Sequence, residues 1–212
     1  ILTDFRPGAG TMGLETGLPS LPGIIQLLQM QPAEITAQSV EAALVSHSSN
    51  ARFLLSSPEP QDALYLTYVD HFAAIANYLA HLSAVTVLDL GSLVTPINEK
   101  VLPSCNEVLV VLEPVAQTIL QTRYLIDYLH KTGFEDDHIT TVLVNRVRAG
   151  VQLALGQVQD YLERKVDVIF TAAPDIVNQA QLENTPMLLV KQVENVSTQQ
   201  ILQLAERIAR KL

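Results

Sequence analysis

The stretch CNEVLVVLEPVAQTILQTRYLIDYLHKTGFEDDHITTVLVN, residues 105–145, decides the fold. Glu107–Leu112 is an aliphatic run closed by Glu113-Pro114, and it is apolar on both faces, which suits a strand covered by helices on each side. The next residues change period. Ala116–Lys131 places Ile119, Leu120, Leu125, Ile126 and Leu129 on one helical face, and Gly133 follows as a C-cap. Thr140–Val144 then begins a second aliphatic strand that ends at Asn145. Strand, helix and strand in this order form the unit from which parallel sheets are built.

The same alternation extends in both directions. Ile1–Phe5, Arg52–Leu55, Val85–Leu90, Val166–Thr171 and Met187–Val190 are read as strands. Val69–Leu82, Val151–Arg164, Asp175–Glu183 and a last helix opening at Ser197 or Thr198 are read as helices. The expected fold is α/β, a doubly wound, mostly parallel sheet with helices on both faces, in one domain over residues 1–212. A Pro/Gly-rich stretch, Pro7 to Gly23, follows the first strand and is read as a mobile, active-site loop.

Composition sets the outer limits. With 48% apolar and 17% charged residues, the 212-residue chain has enough apolar surface to fold as a globular domain. Its longest aliphatic run, Val108 to Leu112, is too short to span a bilayer. The net charge is −9, and residues 1–99 hold only Arg6 and Arg52 against nine acidic groups. Nucleic-acid binding depends on Lys and Arg that neutralise phosphates, so no nucleic-acid partner is expected. Cys105 allows no internal disulfide, fits a reducing, cytoplasmic setting, and is read as a structural thiol. The five histidines share no metal-ligand spacing with one another or with Cys105.

Several motifs carry chemistry. Gly8-Ala9-Gly10-Thr11-Met12-Gly13 matches the dinucleotide fingerprint G-x-G-x-x-G, yet Gly17, Pro19 and Pro22 interrupt the helix it requires. No Walker A sequence occurs, since no lysine precedes Lys100. Asp4 and Asp89 stand at or near the C-terminal ends of strands, the edge that carries the ligand crevice in open α/β sheets. Each either faces Mg²⁺ and phosphate or caps the following turn. Asn145-Arg146, with Arg148 and Gly150, follows another strand, where the amide either meets a purine edge or makes an Asx-turn. The last helix is amphipathic and carries Arg207, Arg210 and Lys211; it either covers the sheet or lies on a membrane surface.

In this order, the pieces resemble the MinD/ParA class of P-loop ATPases, and within it the CpaE/TadZ-like branch associated with response regulators and pilus assembly. "ILTDF" resembles the family's second strand, with Asp4 opening its D-x-D switch. "VTVLDLGSLVTP" resembles the Walker B segment and places its Asp at Asp89. "TTVLVNRVRAG" carries the Asn-Arg after the next strand, and "IFTAAPDIVNQAQLENTPMLLV" resembles the closing segment. The resemblance implies that the family's first strand, P-loop and first helix precede Ile1. It also exposes departures. Arg6 stands at the second switch Asp, Gly91 replaces a Pro, and Asn184 sits where Gly is common.

By this resemblance the whole protein binds ATP and Mg²⁺, pairs as a homodimer, and positions an assembly such as a pilus machine. Asp4, Arg6, Asp89 and Gly91 would lie near nucleotide phosphate and Mg²⁺, with Asp89 the metal-facing carboxylate. Asn145, Arg146, Pro174 and Asp175 would lie near the base. Residues 1–212 alone would hold nucleotide weakly, and Arg6 implies weak or no hydrolysis, because phosphoryl transfer depends on positioning the attacking water. The alternative is a non-catalytic interaction or signalling module that keeps the fold without the ATPase chemistry. Association with a membrane is not expected.

Overall fold

Leu2–Asp4 forms β1, the centre of a four-stranded sheet, and the aliphatic runs around it supply its neighbours. The computed structural model describes residues 1–146, 153–190 and 195–211. In chain order there follow α1 (Met12–Thr16), α2 (Ile24–Leu28), α3 (Ala37–Ala42), β2 (Val45–Ser46), β3 (Arg52–Leu54), α4 (Val69–Leu82), β4 (Val87–Asp89) and α5 (Pro96–Val101). The sheet order is β2-β3-β1-β4. β1 runs parallel to β3 and to β4, and its last residue, Asp4, is in register with Asp89. These elements belong to one compact unit, Ile1–Ser104 together with Gln181–Leu189. Its core holds Phe5, Ile24, Leu27, Leu54, Leu55, Phe72, Ile75 and Leu79. Phe5 meets Phe72 of α4 edge to face at 5.0 Å.

The second unit, Cys105–Ala180 with Val190–Leu212, contains the stretch that decides the fold. It comprises β5 (Val108–Leu112), α6 (Ala116–Lys131), β6 (Ile139–Val144), α7 (Leu155–Leu162), β7 (Val168–Phe170), α8 (Pro174–Leu182) and α9 (Val196–Ala209). The strands pair in parallel in the order β5-β6-β7. α6 has the expected bounds, and its buried face includes Ile119, Ile126 and Leu129. Its end is closed by the amides of Gly133 and Phe134, which donate to the carbonyls of His130 and Leu129. The architecture is thus α/β, with parallel sheets and helices on both faces.

Three readings change, and one edge strand is new. Pro7 to Gly23 is not loop throughout, for Met12–Thr16 is a helical turn. Met187–Val190 is not a strand: Met187–Leu189 is a 3₁₀ turn, closed by the Leu189 amide on the Pro186 carbonyl at 2.8 Å. β2 is an added antiparallel edge, paired through a turn in which Asn50 takes φ +66°. The last helix begins at Val196, with Asn195 as its cap accepting from the Ser197 amide at 2.8 Å. Residues 147–152, including Arg148 and Gly150 and the expected helix start at Val151, and Leu212 lie outside the described residues.

Within the second unit, Asp167 ties β6 to α9. Its carboxylate accepts from the Thr141 amide at 2.8 Å, the Thr141 hydroxyl at 2.7 Å and Arg207 Nη2 at 2.7 Å. Lys211 donates to Glu107 at 2.6 Å. Arg210 pairs with Glu206 one turn back at 3.8 Å, so all three cations meet carboxylates of their own unit, and Arg207 and Lys211 reach beyond the helix, as in a helix that covers a sheet. Burial alone would raise the Asp167 carboxyl, but the hydrogen bonds from Thr141 and the charge of Arg207 outweigh it and hold it below the ordinary carboxylate value. A depressed folded pKa adds stability that is present above the unfolded value of about 3.9 and is lost as pH falls through the folded value. We expect Asp167→Asn to lower the urea midpoint at pH 7 and to flatten its fall below pH 4, measured by circular dichroism.

Candidate functional site

The C-terminal ends of β1 and β4 bring Asp4 and Asp89 side by side, since the two strands are parallel neighbours with these residues in register. The Asp4 side chain is 1% exposed. A buried carboxylate needs its lone pairs satisfied, and here the donors are local. Oδ1 accepts from the Arg6 amide at 3.1 Å and Arg6 Nε at 3.0 Å. Oδ2 accepts from Arg6 Nη2 at 3.1 Å, the Thr11 amide at 3.0 Å and the Met12 amide at 3.5 Å. Asp4 thus caps the start of α1 and takes a two-point ion pair from Arg6.

Arg6 reaches further. Its Nη2 also lies 2.9 Å from Asp89 Oδ2 and 3.1 Å from Thr11 Oγ1. Burial alone would lower the guanidinium pKa. The hydrogen bond and charge of Asp4, then the charges of Asp89 and Glu15, outweigh it and raise it, so the positive charge is fixed. Asp89 Oδ1 accepts from the Gly91 amide at 2.9 Å, and Asn98 of α5 holds the adjoining loop through the Leu90 carbonyl at 3.2 Å. The capping alternative is therefore realised at both aspartates.

Gly91 explains the departure from Pro at its position. It has φ +74°, and a Cβ there would sit 3.1 Å from Arg6 Cδ. The residue after the β4 loop must be small and left-handed so that Arg6 can lie across it. Thr11 went unnoticed in sequence reasoning. The only signal was its place in the glycine stretch, whose other residues turn inward: the Gly8 and Gly10 amides both donate to the Ser57 carbonyl, at 3.0 and 3.1 Å. A Cβ on Gly10 would lie 2.8 Å from the Ser56 carbonyl carbon. With these amides engaged and α1 only five residues long, the stretch does not form a dinucleotide cradle.

The remaining expected site residues lie in the second unit. The Asn145 backbone N–H donates to the Phe170 carbonyl at 2.9 Å, and Arg146 Nε pairs with Glu113 at 2.8 Å. Pro174 and Asp175 occupy the first turn of α8. Asn184, which belongs to the first unit, takes the left-handed conformation at φ +47°. Each histidine has a polar contact near at hand, such as His71 with the Met30 carbonyl at 2.9 Å and His130 with Asp136 at 3.2 Å. Among the described residues, no group of three His, Cys, Asp or Glu side chains could hold a metal ion. Burial pushes the thiol of Cys105 up, which keeps it protonated. No helix among the described residues is long and apolar enough to cross a membrane.

The expected magnesium site can be tested on these contacts. Mg²⁺ takes carboxylate oxygens directly or through water. Asp4 has no lone pair to offer beyond the five donors it already meets. The space between the two carboxylates holds Arg6 Nη2, and Asp89, 35% exposed, is already paired with that charge. As arranged, the pair does not fit a magnesium ion.

No protein-family model and no curated protein matches the sequence. Solved structures do match the fold. The cell division ATPase MinD of Pyrococcus furiosus is similar with a TM-score of 0.80 and 17% identity, over 100% of this chain and 86% of that one. A ParA family ATPase from Chlorobium tepidum is similar with a TM-score of 0.71 and 12% identity, over 97% and 98%. The septum site-determining protein MinD of Pyrococcus horikoshii, solved with Mg-ADP, gives 0.74 and 16%, over 98% and 82%. The fold is that of MinD/ParA ATPases. A direct check of the site's packing is Gly91→Ala, which we expect to cost roughly 1–3 kcal/mol of stability by forcing a side chain into the left-handed region. Thermal or urea unfolding measures it.

Proposed function

We propose that this chain is a nucleotide-binding module of the MinD/ParA type and of the CpaE/TadZ kind. It pairs as a homodimer in the cytoplasm to position an assembly such as a pilus machine, and it hydrolyses ATP weakly or not at all. The observation that carries this reading is the register of Asp4 with Asp89 at the C-terminal ends of adjacent parallel strands, on a fold shared with MinD along the whole chain. That edge is where open α/β sheets hold their ligands. Arg6 supports weak hydrolysis: it occupies the second switch position, grips Asp4 at two points and pairs with Asp89, so no second switch carboxylate is there to orient a water. In the same reading Asn145, Arg146, Pro174 and Asp175 serve the base, and residues 1–212, which contain no Walker A sequence, hold ATP weakly by themselves.

The engaged Arg6 also favours a second reading, an interaction or signalling module that uses the fold to dock a protein such as a receiver domain and has no nucleotide chemistry. ATP binding and turnover by the longest natural form of the protein separate the two. The first reading expects saturable ATP binding by calorimetry, turnover well below about 1 s⁻¹, and weaker binding in Asp89→Ala. Turnover at ordinary ATPase rates contradicts the role given to Arg6. Absence of any ATP binding favours the docking module.

A further inference from the structure

The strand-end aspartates raise a question of charge. Asp4 is nearly inaccessible, Asp89 lies in register with it, and two facing carboxylates repel unless a cation lies between them. In nucleotide-binding sites such a cation can be Mg²⁺, held by one or two carboxylates. Here a cation is already present and covalently attached: Arg6, two residues beyond Asp4, whose Nη2 lies 3.1 Å from Asp4 Oδ2 and 2.9 Å from Asp89 Oδ2. We infer that the Arg6 guanidinium is a resident cation that replaces a divalent metal between Asp4 and Asp89 and keeps metal ions out of this site.

Three further observations fit a built feature. The Nε and Nη2 edge of Arg6 grips Asp4 at two points, a fork geometry that lysine could not reproduce. Thr11 adds its hydroxyl to the same Nη2, at 3.1 Å. Gly91 supplies the left-handed, side-chain-free position across which the Arg6 stem lies. A metal bound at 2.0–2.1 Å from a carboxylate oxygen, the spacing Mg²⁺ demands, would sit within a few ångströms of this fixed positive charge and be repelled. Removing the guanidinium should therefore free the pair to take a metal. The ordering of the site, which in a metal-dependent protein waits for the ion, would here be permanent.

The inference concerns the site used in the proposed function but is tested without nucleotide, so its failure is read separately from failure of that reading. Mn²⁺ is the probe. In the unmodified chain, Mn²⁺ should cause no selective broadening of the Thr11 and Gly91 amide NMR signals, whose N–H groups donate to the two carboxylates. Arg6→Gln should melt at a lower temperature than the unmodified chain, and saturating Mn²⁺ should raise its midpoint by about 5 °C, as expected for a ligand that binds only the folded state. Adding Asp89→Asn to Arg6→Gln should abolish that rise. Selective broadening of Thr11 or Gly91 in the unmodified chain overturns the inference, as does a folded Arg6→Gln whose midpoint ignores Mn²⁺. If Arg6→Gln does not fold with or without Mn²⁺, the broadening measurement on the unmodified chain decides alone.

Discussion

The guanidinium of Arg6, held between Asp4 and Asp89, is the contact on which the organisation of this site depends. It joins the ends of two parallel strands, satisfies a carboxylate that is 1% exposed, and supports the first turn of α1 through Thr11. An unpaired carboxylate buried to that degree would cost several kcal/mol, so the ion pair is a condition for placing Asp4 where it is. Gly91 and the inward-turned glycine stretch follow from the same requirement. The one leaves room for the arginine stem, and the other carries the chain from Arg6 to the Thr11 and Met12 amides.

This arrangement separates fold from chemistry. A MinD/ParA fold, recognised at 12–17% identity, sets two acidic residues at the edge where ligands bind. What those residues do depends on one neighbour. With an arginine between them they form a closed cluster in which one guanidinium serves both carboxylates. The acidity of residues 1–99 sharpens the point, since Arg6 is one of only two Lys or Arg residues there and its Nε and Nη2 are engaged with these carboxylates.

Much of this was legible in the sequence where a pattern repeats often enough to be read. α4 and α6 match their expected bounds because each runs over three turns or more with an apolar stripe. Six of the seven strands among the described residues follow from their aliphatic runs, five trimmed by a residue or two where pairing stops and β6 begun one residue earlier at Ile139, whereas the two-residue β2 has no run to mark it. The short helices were not legible: α1, α2, α3 and α5 span five or six residues each, too few for a period to emerge. α5 is instead set by Pro96 at its start and a capping box between Thr95 and Asn98. Met187–Val190 looked like a strand from composition, but Pro186 turns the chain there. At the site, the strand-end positions of Asp4 and Asp89 were legible. Their adjacency was not, because it comes from the crossover that sets β4 beside β1, and nothing local in the sequence says that one arginine reaches both.

The most direct test of the account is a double-mutant cycle between Arg6 and Asp4, measured by urea unfolding of Arg6→Gln, Asp4→Asn and the double variant. If the guanidinium is the structural cation of this site, the two substitutions are strongly non-additive, with a coupling of about 1–3 kcal/mol. Additive effects, with a coupling indistinguishable from zero, would contradict it.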